Sequence, residues 1–135
     1  MATRLNPYLN FRDQAKEAME FYHSVLGGEL TITTFAEAGG MGLGEDEQHK
    51  VMHAQILAGP DLTLMAADVP ASMEISPNGT VSLSGDDEDQ LRRFWDGLSA
   101  GGSIVVPLEK APWGDTFGMF TDRFGVSWMV NIAGS

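Results

Sequence analysis

The chain contains no cysteine, few lysines and arginines, and no long apolar run. Without cysteine there is no disulfide framework, thiolate nucleophile or zinc–thiolate site, which agrees with a reducing compartment. Only 8 basic residues face 19 acids, for a formal net charge of −11. That balance argues against a reader of nucleic-acid backbones, which needs clustered Lys and Arg to displace counterions. Anionic membrane surfaces are disfavoured for the same electrostatic reason. Apolar runs reach only a few residues, against the roughly 20 that span a bilayer, and the start Met1-Ala2-Thr3-Arg4-Leu5 lacks the apolar core of a signal peptide. The expectation is a soluble, cytoplasmic protein with no nucleic-acid or membrane partner. What is present is globular: 43% hydrophobic and 20% charged residues over a length of 135, enough for a domain with a true core.

Sliding the chain against itself reveals an internal repeat. In the first half, Tyr8-Leu9-Asn10-Phe11 leads to Asp13, a helical segment with Phe21-Tyr22, and Gly27-Gly28. In the second, Thr80-Val81-Ser82-Leu83-Ser84 leads to Asp87, a segment with Phe94-Trp95, and Gly101-Gly102. The acids and aromatic pairs keep step to within one residue. Asp13 and the Asp86-Asp87-Glu88-Asp89 cluster place acceptors and negative charge at the helix starts, and the glycine pairs stop the helices. Ala15, Ala18, Met19, Tyr22, Val25 and Leu26 form one apolar face, and Leu91, Phe94, Trp95 and Leu98 form its counterpart.

Hairpins follow in both halves, over Gln55–Met65 and Met119–Met129, with turn chemistry at Gly59-Pro60-Asp61 and Asp122-Arg123-Phe124-Gly125. Strands over Leu30–Phe35 and Ser103–Pro107 complete a strand-helix-strand-strand-strand unit written twice. The expected architecture is α+β: two βαβββ modules in a single domain over residues 1–135, module one over about 4–67, a linker over about 68–79 and module two over about 80–133. Ala66–Gly79, with Pro70 and Pro77, reads as a loop. Alternation separates the faces. Leu9, Leu62, Leu64, Val81, Leu83, Val126, Trp128 and Val130 suit packing under helices. Asn6, Tyr8, Asn10, Thr63, Met65, Thr80, Ser82, Ser84, Ser127, Met129 and Asn131 fall opposite, a poor core and a candidate cleft lining.

The segment Glu20-Phe21-Tyr22-His23-Ser24-Val25-Leu26-Gly27-Gly28-Glu29-Leu30 and the doubled module resemble the vicinal oxygen chelate superfamily of glyoxalase I, bleomycin-resistance proteins and extradiol dioxygenases. Pro7-Tyr8-Leu9-Asn10-Phe11, Met52-His53-Ala54, Trp113-Gly114-Asp115 and the run Phe117–Met129 are similar to its PhnB-like subgroup, some members of which are named as demethylubiquinone methyltransferases. The resemblance spans nearly the whole chain. It implies the glyoxalase/bleomycin-resistance-like fold, paired modules around a cleft and a homodimer. Enzymes of the superfamily hold a divalent cation with His, Glu or Gln on the first and last strands of each module. Motif alignment puts Asn6, Met65, Thr80 and Met129 there, a set without imidazole or carboxylate, so no metal cofactor is expected.

Other signals carry two readings each. His49 and His53 have the spacing of a helical zinc pair, but at a strand entry residues four apart lie about 13 Å from each other, too far to share a metal. His53 shares parity with Gln55 and is either a hydrogen-bonded strand histidine or a general base or ligand donor. His23 reads as a surface residue of the first helix. Gly39-Gly40-Met41-Gly42-Leu43-Gly44 lacks the following helix and lysine of a phosphate loop and is followed by Glu45-Asp46-Glu47. Residues 36–50 are instead expected to form a mobile acidic flap, closing over a ligand or disordered. Trp113 is either a lid on the core or an aromatic wall for a flat ligand. Met41, Met65, Met119 and Met129 suit an adaptable pocket or a core equally. Asp61, Asp115 and Asp122 read as turn residues. No serine sits in a nucleophile elbow, and no glycine-rich strand-turn-helix supports a methyltransferase.

The leading expectation is a metal-independent protein that binds an aromatic or apolar small molecule, with Tyr8, Asn10, His53, Met65, Trp113, Phe117, Met119 and Met129 as lining. The alternative is a lyase, isomerase or dioxygenase of the glyoxalase type with a non-standard site, His53 its base and Tyr8 or Asn10 its donor. Net charge −11 disfavours anionic ligands such as phosphonates, and Arg4, Lys50, Lys110 and Arg123 are the local cations noted outside the helices.

Overall fold

The computed structural model describes residues 6–40, 42–73 and 78–134. Arg4, Met41 and Pro77 lie outside them. The chain divides into two compact units, residues 1–77 and 78–135.

Unit one runs β1 (Tyr8–Phe11), α1 (Ala15–Leu26), β2 (Glu29–Thr34), a 3-10 turn at Glu45–Glu47, β3 (Val51–Leu57) and β4 (Thr63–Asp68). Its sheet has the order β1-β4-β3-β2, with β1 parallel to β4 and the other pairs antiparallel. Residues of alternate parity on the strands, Leu9, Phe11, Ala54, Ile56, Leu64 and Ala66, are buried with Ala15, Ala18, Met19 and Tyr22 of α1. The apolar stripe of α1 thus covers one face of the sheet and leaves the other parity on the opposite face.

The start of α1 corrects the sequence reading. Asp13 does not cap it. The N-cap residue is Gln14, which makes no side-chain cap bond, while Asp13 sits at φ 69° and pairs with Lys50 at 2.6 Å. The cap comes from β4: Asp68, 5% exposed, accepts from the Ala15 N–H through Oδ1 at 3.0 Å and from the Val51 N–H through Oδ2 at 2.9 Å. One buried carboxylate therefore satisfies an orphan helix donor and ties β3 to the same point. β4 accordingly extends through Ala66–Asp68, which the sequence reading assigned to a loop.

Unit two repeats the plan with β5 (Val81–Gly85), α2 (Glu88–Ser99), β6 (Ser103–Lys110), β7 (Thr116–Thr121) and β8 (Ser127–Ile132), in the order β5-β8-β7-β6. Here the acid cluster behaves as read: Asp87 is the N-cap and accepts from the Gln90 N–H. Leu91, Phe94, Trp95 and Leu98 bury the helix face. Beneath it, the Trp95 and Phe120 rings meet edge to face at 5.0 Å, and Phe120 stacks parallel to Trp128. Gly118 makes room for this: a Cβ there would stand 2.7 Å from the Trp95 ring.

β6 continues three residues past the expected end at Pro107. It is the edge of its sheet, and Pro107 falls where the β6–β7 register shifts between Val106 and Glu109, so proline interrupts the pairing without ending the strand. The paired glycines meet two constraints. Gly27, Gly28 and Gly101 take positive φ (78°, 81° and 80°), and any Cβ on Gly28 or Gly102 would run into the backbone of Leu57 or Thr121.

Candidate functional site

The open face of unit one is built by register. Tyr8 lies opposite Met65, Met65 opposite Gln55, and Gln55 opposite Thr31. One row further, Asn10 pairs with Ala67, and His53 with Thr33. Ala67 is small, so Tyr8 on β1 reaches toward β3: its Oη lies 3.4 Å from His53 Nδ1, with ring centroids 5.9 Å apart. Tyr8 remains 46% exposed, and partial burial pushes its hydroxyl pKa up, keeping the phenol protonated as a donor. The structure therefore brings Tyr8, Asn10, His53 and Met65 onto one surface that offers a phenol, an imidazole, an amide and a thioether.

The open face of unit two is softer. Met119 lies opposite Met129, Phe117 opposite Asn131, and Ser82 opposite Met129. Trp113, at the tip between β6 and β7, is 64% exposed and its ring stands 5.9 Å from that of Phe117. It is not a lid on the core, and its surroundings explain why. The tip closes by an Ala111 N–H to Asp115 carbonyl bond of 2.7 Å around Gly114 at φ 101°. Asp115 then fastens it to the end of β8, accepting from Asn131 Nδ2 at 3.0 Å and from the Gly134 N–H at 2.8 Å. These bonds, the Asn131 one foremost, hold the Asp115 carboxyl below the usual carboxylate range. Asp115 is a turn residue, as read, and so is Asp122, whose buried carboxylate accepts from the N–H groups of Phe124 and Val126 and from Trp128 Nε1.

The four positions aligned with the superfamily's metal ligands do not fit a hard divalent cation. Asn6 is a half-buried amide and Thr80 an exposed hydroxyl that donates to Ser127 Oγ, while Met65 and Met129 offer thioethers. Among the described residues there is no group of three or more His, Asp or Glu side chains able to hold a metal ion. His49 is exposed at the entry to β3, facing a hollow shared with Glu17, Glu20 and Lys50, while His53 sits within the strand beside Tyr8. His23 is half-buried and bonds the Gly28 carbonyl oxygen at the end of α1.

The described residues of the glycine-rich acidic segment form turns tied by side-chain bonds. Gln48 Nε2 donates to the carbonyls of Gly40 and Leu43, Glu47 Oε1 accepts from the Ala71 N–H, and Lys50 bridges Asp13 and Glu47. Two residues escaped the sequence reading. Arg12, just past the end of β1, is a cation spent internally, donating to the carbonyls of Val69, Pro70 and Met73. Glu109 lies opposite Phe117 on β6; ending that strand at Pro107 hid it.

Comparison with known proteins agrees with this architecture. The model of the Glyoxalase/Bleomycin resistance protein/Dioxygenase superfamily matches residues 4–130. The protein YjdN of Escherichia coli is 31% identical over 95% of this chain and 94% of its own length. The crystal structure of protein PA1353 from Pseudomonas aeruginosa superposes with a TM-score of 0.84 at 36% identity, covering 99% of this chain and 100% of that one. A Bacillus cereus structure described as a putative 3-demethylubiquinone-9 3-methyltransferase, PhnB protein, follows at TM-score 0.72 and 26% identity, covering 97% and 100%.

Proposed function

Because the chain belongs to the glyoxalase/bleomycin resistance protein/dioxygenase superfamily, in its PhnB-like subgroup, we propose that it binds an aromatic or apolar small molecule without a metal ion. One observation carries this reading: Trp113 is fixed at 64% exposure over Phe117, on the face that bears Met119 and Met129. Leaving a large aromatic ring in water forgoes the stabilisation its burial would supply, and a ligand that stacks on it recovers that term. A hairpin tip anchored through Asp115 loses little further backbone freedom on binding, and thioethers adapt to varied shapes. Tyr8, Asn10, His53 and Met65 form a polar candidate binding surface of unit one by itself. The resemblance adds a homodimer to the proposal, which sedimentation equilibrium tests, and the composition adds a cytoplasmic location.

The test is a titration of planar aromatic compounds followed by tryptophan fluorescence and calorimetry, with and without chelator. Saturable binding that Trp113→Ala abolishes and chelator leaves alone supports the proposal. Binding that chelator abolishes, or that is indifferent to Trp113, overturns it.

A second reading, an isomerase or lyase, is favoured by the Tyr8–His53 approach of 3.4 Å. An imidazole beside a phenol can take a proton at Nδ1 or Nε2 while the hydroxyl donates to a developing oxyanion. No step is assigned to a metal, since the donor set does not suit one. Turnover of a glyoxalase-type substrate that is lost in His53→Ala and in Tyr8→Phe would establish this reading.

A further inference from the structure

We propose that Glu109, Trp113 and Phe117 form a subsite on unit two for a flat organic cation. This rests on the small-molecule reading and names the class of ligand.

Glu109 lies directly opposite Phe117 in the β6–β7 register, so their side chains leave the sheet on the same face. Phe117 in turn meets the Trp113 ring. The neighbouring Lys110 belongs to the opposite parity and pairs with Thr116. Glu109 is exposed, and among the described residues no cation or hydrogen-bond donor pairs with its carboxylate. Asp115, the other acid nearby, is spent on Asn131 and Gly134. An aromatic pair beside an uncompensated carboxylate is the arrangement that attracts an organic cation, through the electron-rich ring faces and through direct charge pairing. The rest of the chain reinforces this: unit two carries eight acids against four bases, within a total charge of −11. Such a field concentrates cations at the surface and repels anions. Flatness follows from the rings, because a planar ligand stacks on an exposed indole at full contact area. Met119 and Met129 extend the surface with polarisable sulfur.

The experiment compares three probes of one ring size at mildly alkaline pH: proflavine, which is cationic, acridine, which is neutral, and anthracene carboxylate, which is anionic. Affinity is read by fluorescence polarisation and tryptophan quenching on the full chain. The expected order is proflavine first by roughly tenfold over acridine, with the carboxylate weakest. Glu109→Gln is expected to lower the proflavine-to-acridine ratio severalfold, leaving the smaller preference that the ring faces and the remaining negative charge supply. Asp96→Asn removes the same charge from exposed α2 and is expected to leave the ratio as it was. Circular dichroism confirms folding of both variants, which change exposed side chains only. If acridine binds as well as proflavine, or if Asp96→Asn lowers the ratio as much as Glu109→Gln, the subsite is wrong while small-molecule binding stands. If none of the three binds, both the subsite and the reading beneath it fall.

Discussion

Asp115 Oδ2 accepts from Asn131 Nδ2 at 3.0 Å, and this bond fixes the β6–β7 tip to β8 with Trp113 held in solvent. A ligand wall on a hairpin tip is useful only if the tip does not move, because ordering it on binding would subtract from affinity.

Asp115→Ala should therefore weaken planar aromatic binding by roughly tenfold without touching the ligand, the size expected when preorganisation is lost. Asn131→Ala should do the same in smaller measure, since the Gly134 N–H bond remains. Calorimetry on both variants checks this. Affinity equal to that of the parent protein would show that the tip is positioned by something else.

The same carboxylate sets an acid limit. Its pKa is lowered in the folded chain by the Asn131 and Gly134 bonds. Such a group stabilises the fold above its unfolded pKa, and that contribution is lost as pH falls through the folded value. The Trp113 indole N–H resonance should therefore shift on acidification below about pH 4, the ordinary carboxylate range, and the step should be missing in Asp115→Asn. An identical step in that variant would assign the titration elsewhere.

At the start of α1, two aspartates trade the roles that their positions imply. Asp68→Ala removes a buried acceptor from the Ala15 and Val51 N–H groups and should cost about 2–4 kcal/mol in denaturant unfolding. Asp13→Asn breaks a bridge whose aspartate is 56% exposed while keeping a side chain that tolerates φ 69°, and should cost less than about 1 kcal/mol. Equal losses in the two would restore Asp13 as the cap.

That exchange shows where the sequence was legible and where it was not. The repeat, both hairpins and the face assignments follow from period-2 and period-3.6 patterning, which is local, and the registers bear them out: Leu64, Trp128 and Val130 are buried while Met65, Met129 and Asn131 are not. Asp87 caps its own helix and was readable, whereas Asp68 caps from another strand, a contact no spacing rule encodes. Pro107 was read as a strand end because proline removes a donor, yet position at a sheet edge is a property of topology. That misreading concealed Glu109. For Trp113 the sequence left lid and wall open, since its exposure depends on the Asp115 anchor to the far end of β8.

The absence of a fitting donor set yields the last prediction. Asn6, Met65, Thr80 and Met129 offer one amide oxygen, one hydroxyl and two thioethers, and a hard cation gains too little from them to offset its dehydration. A ligand that binds the native state must raise its stability in proportion to the logarithm of its concentration over Kd. A thermal-shift series with magnesium, manganese, nickel and zinc at 100-fold excess over a micromolar Kd would add about 2.7 kcal/mol for a true site. We expect no such shift with magnesium or manganese, and any shift with nickel or zinc is expected to disappear in the His49→Ala and His53→Ala variants. A stabilising shift that survives both histidine substitutions and disappears in Met65→Leu or Met129→Leu would place a metal at the aligned positions and overturn the donor argument. Met→Leu keeps volume and hydrophobicity, so loss of the shift would report ligation rather than collapse of the face.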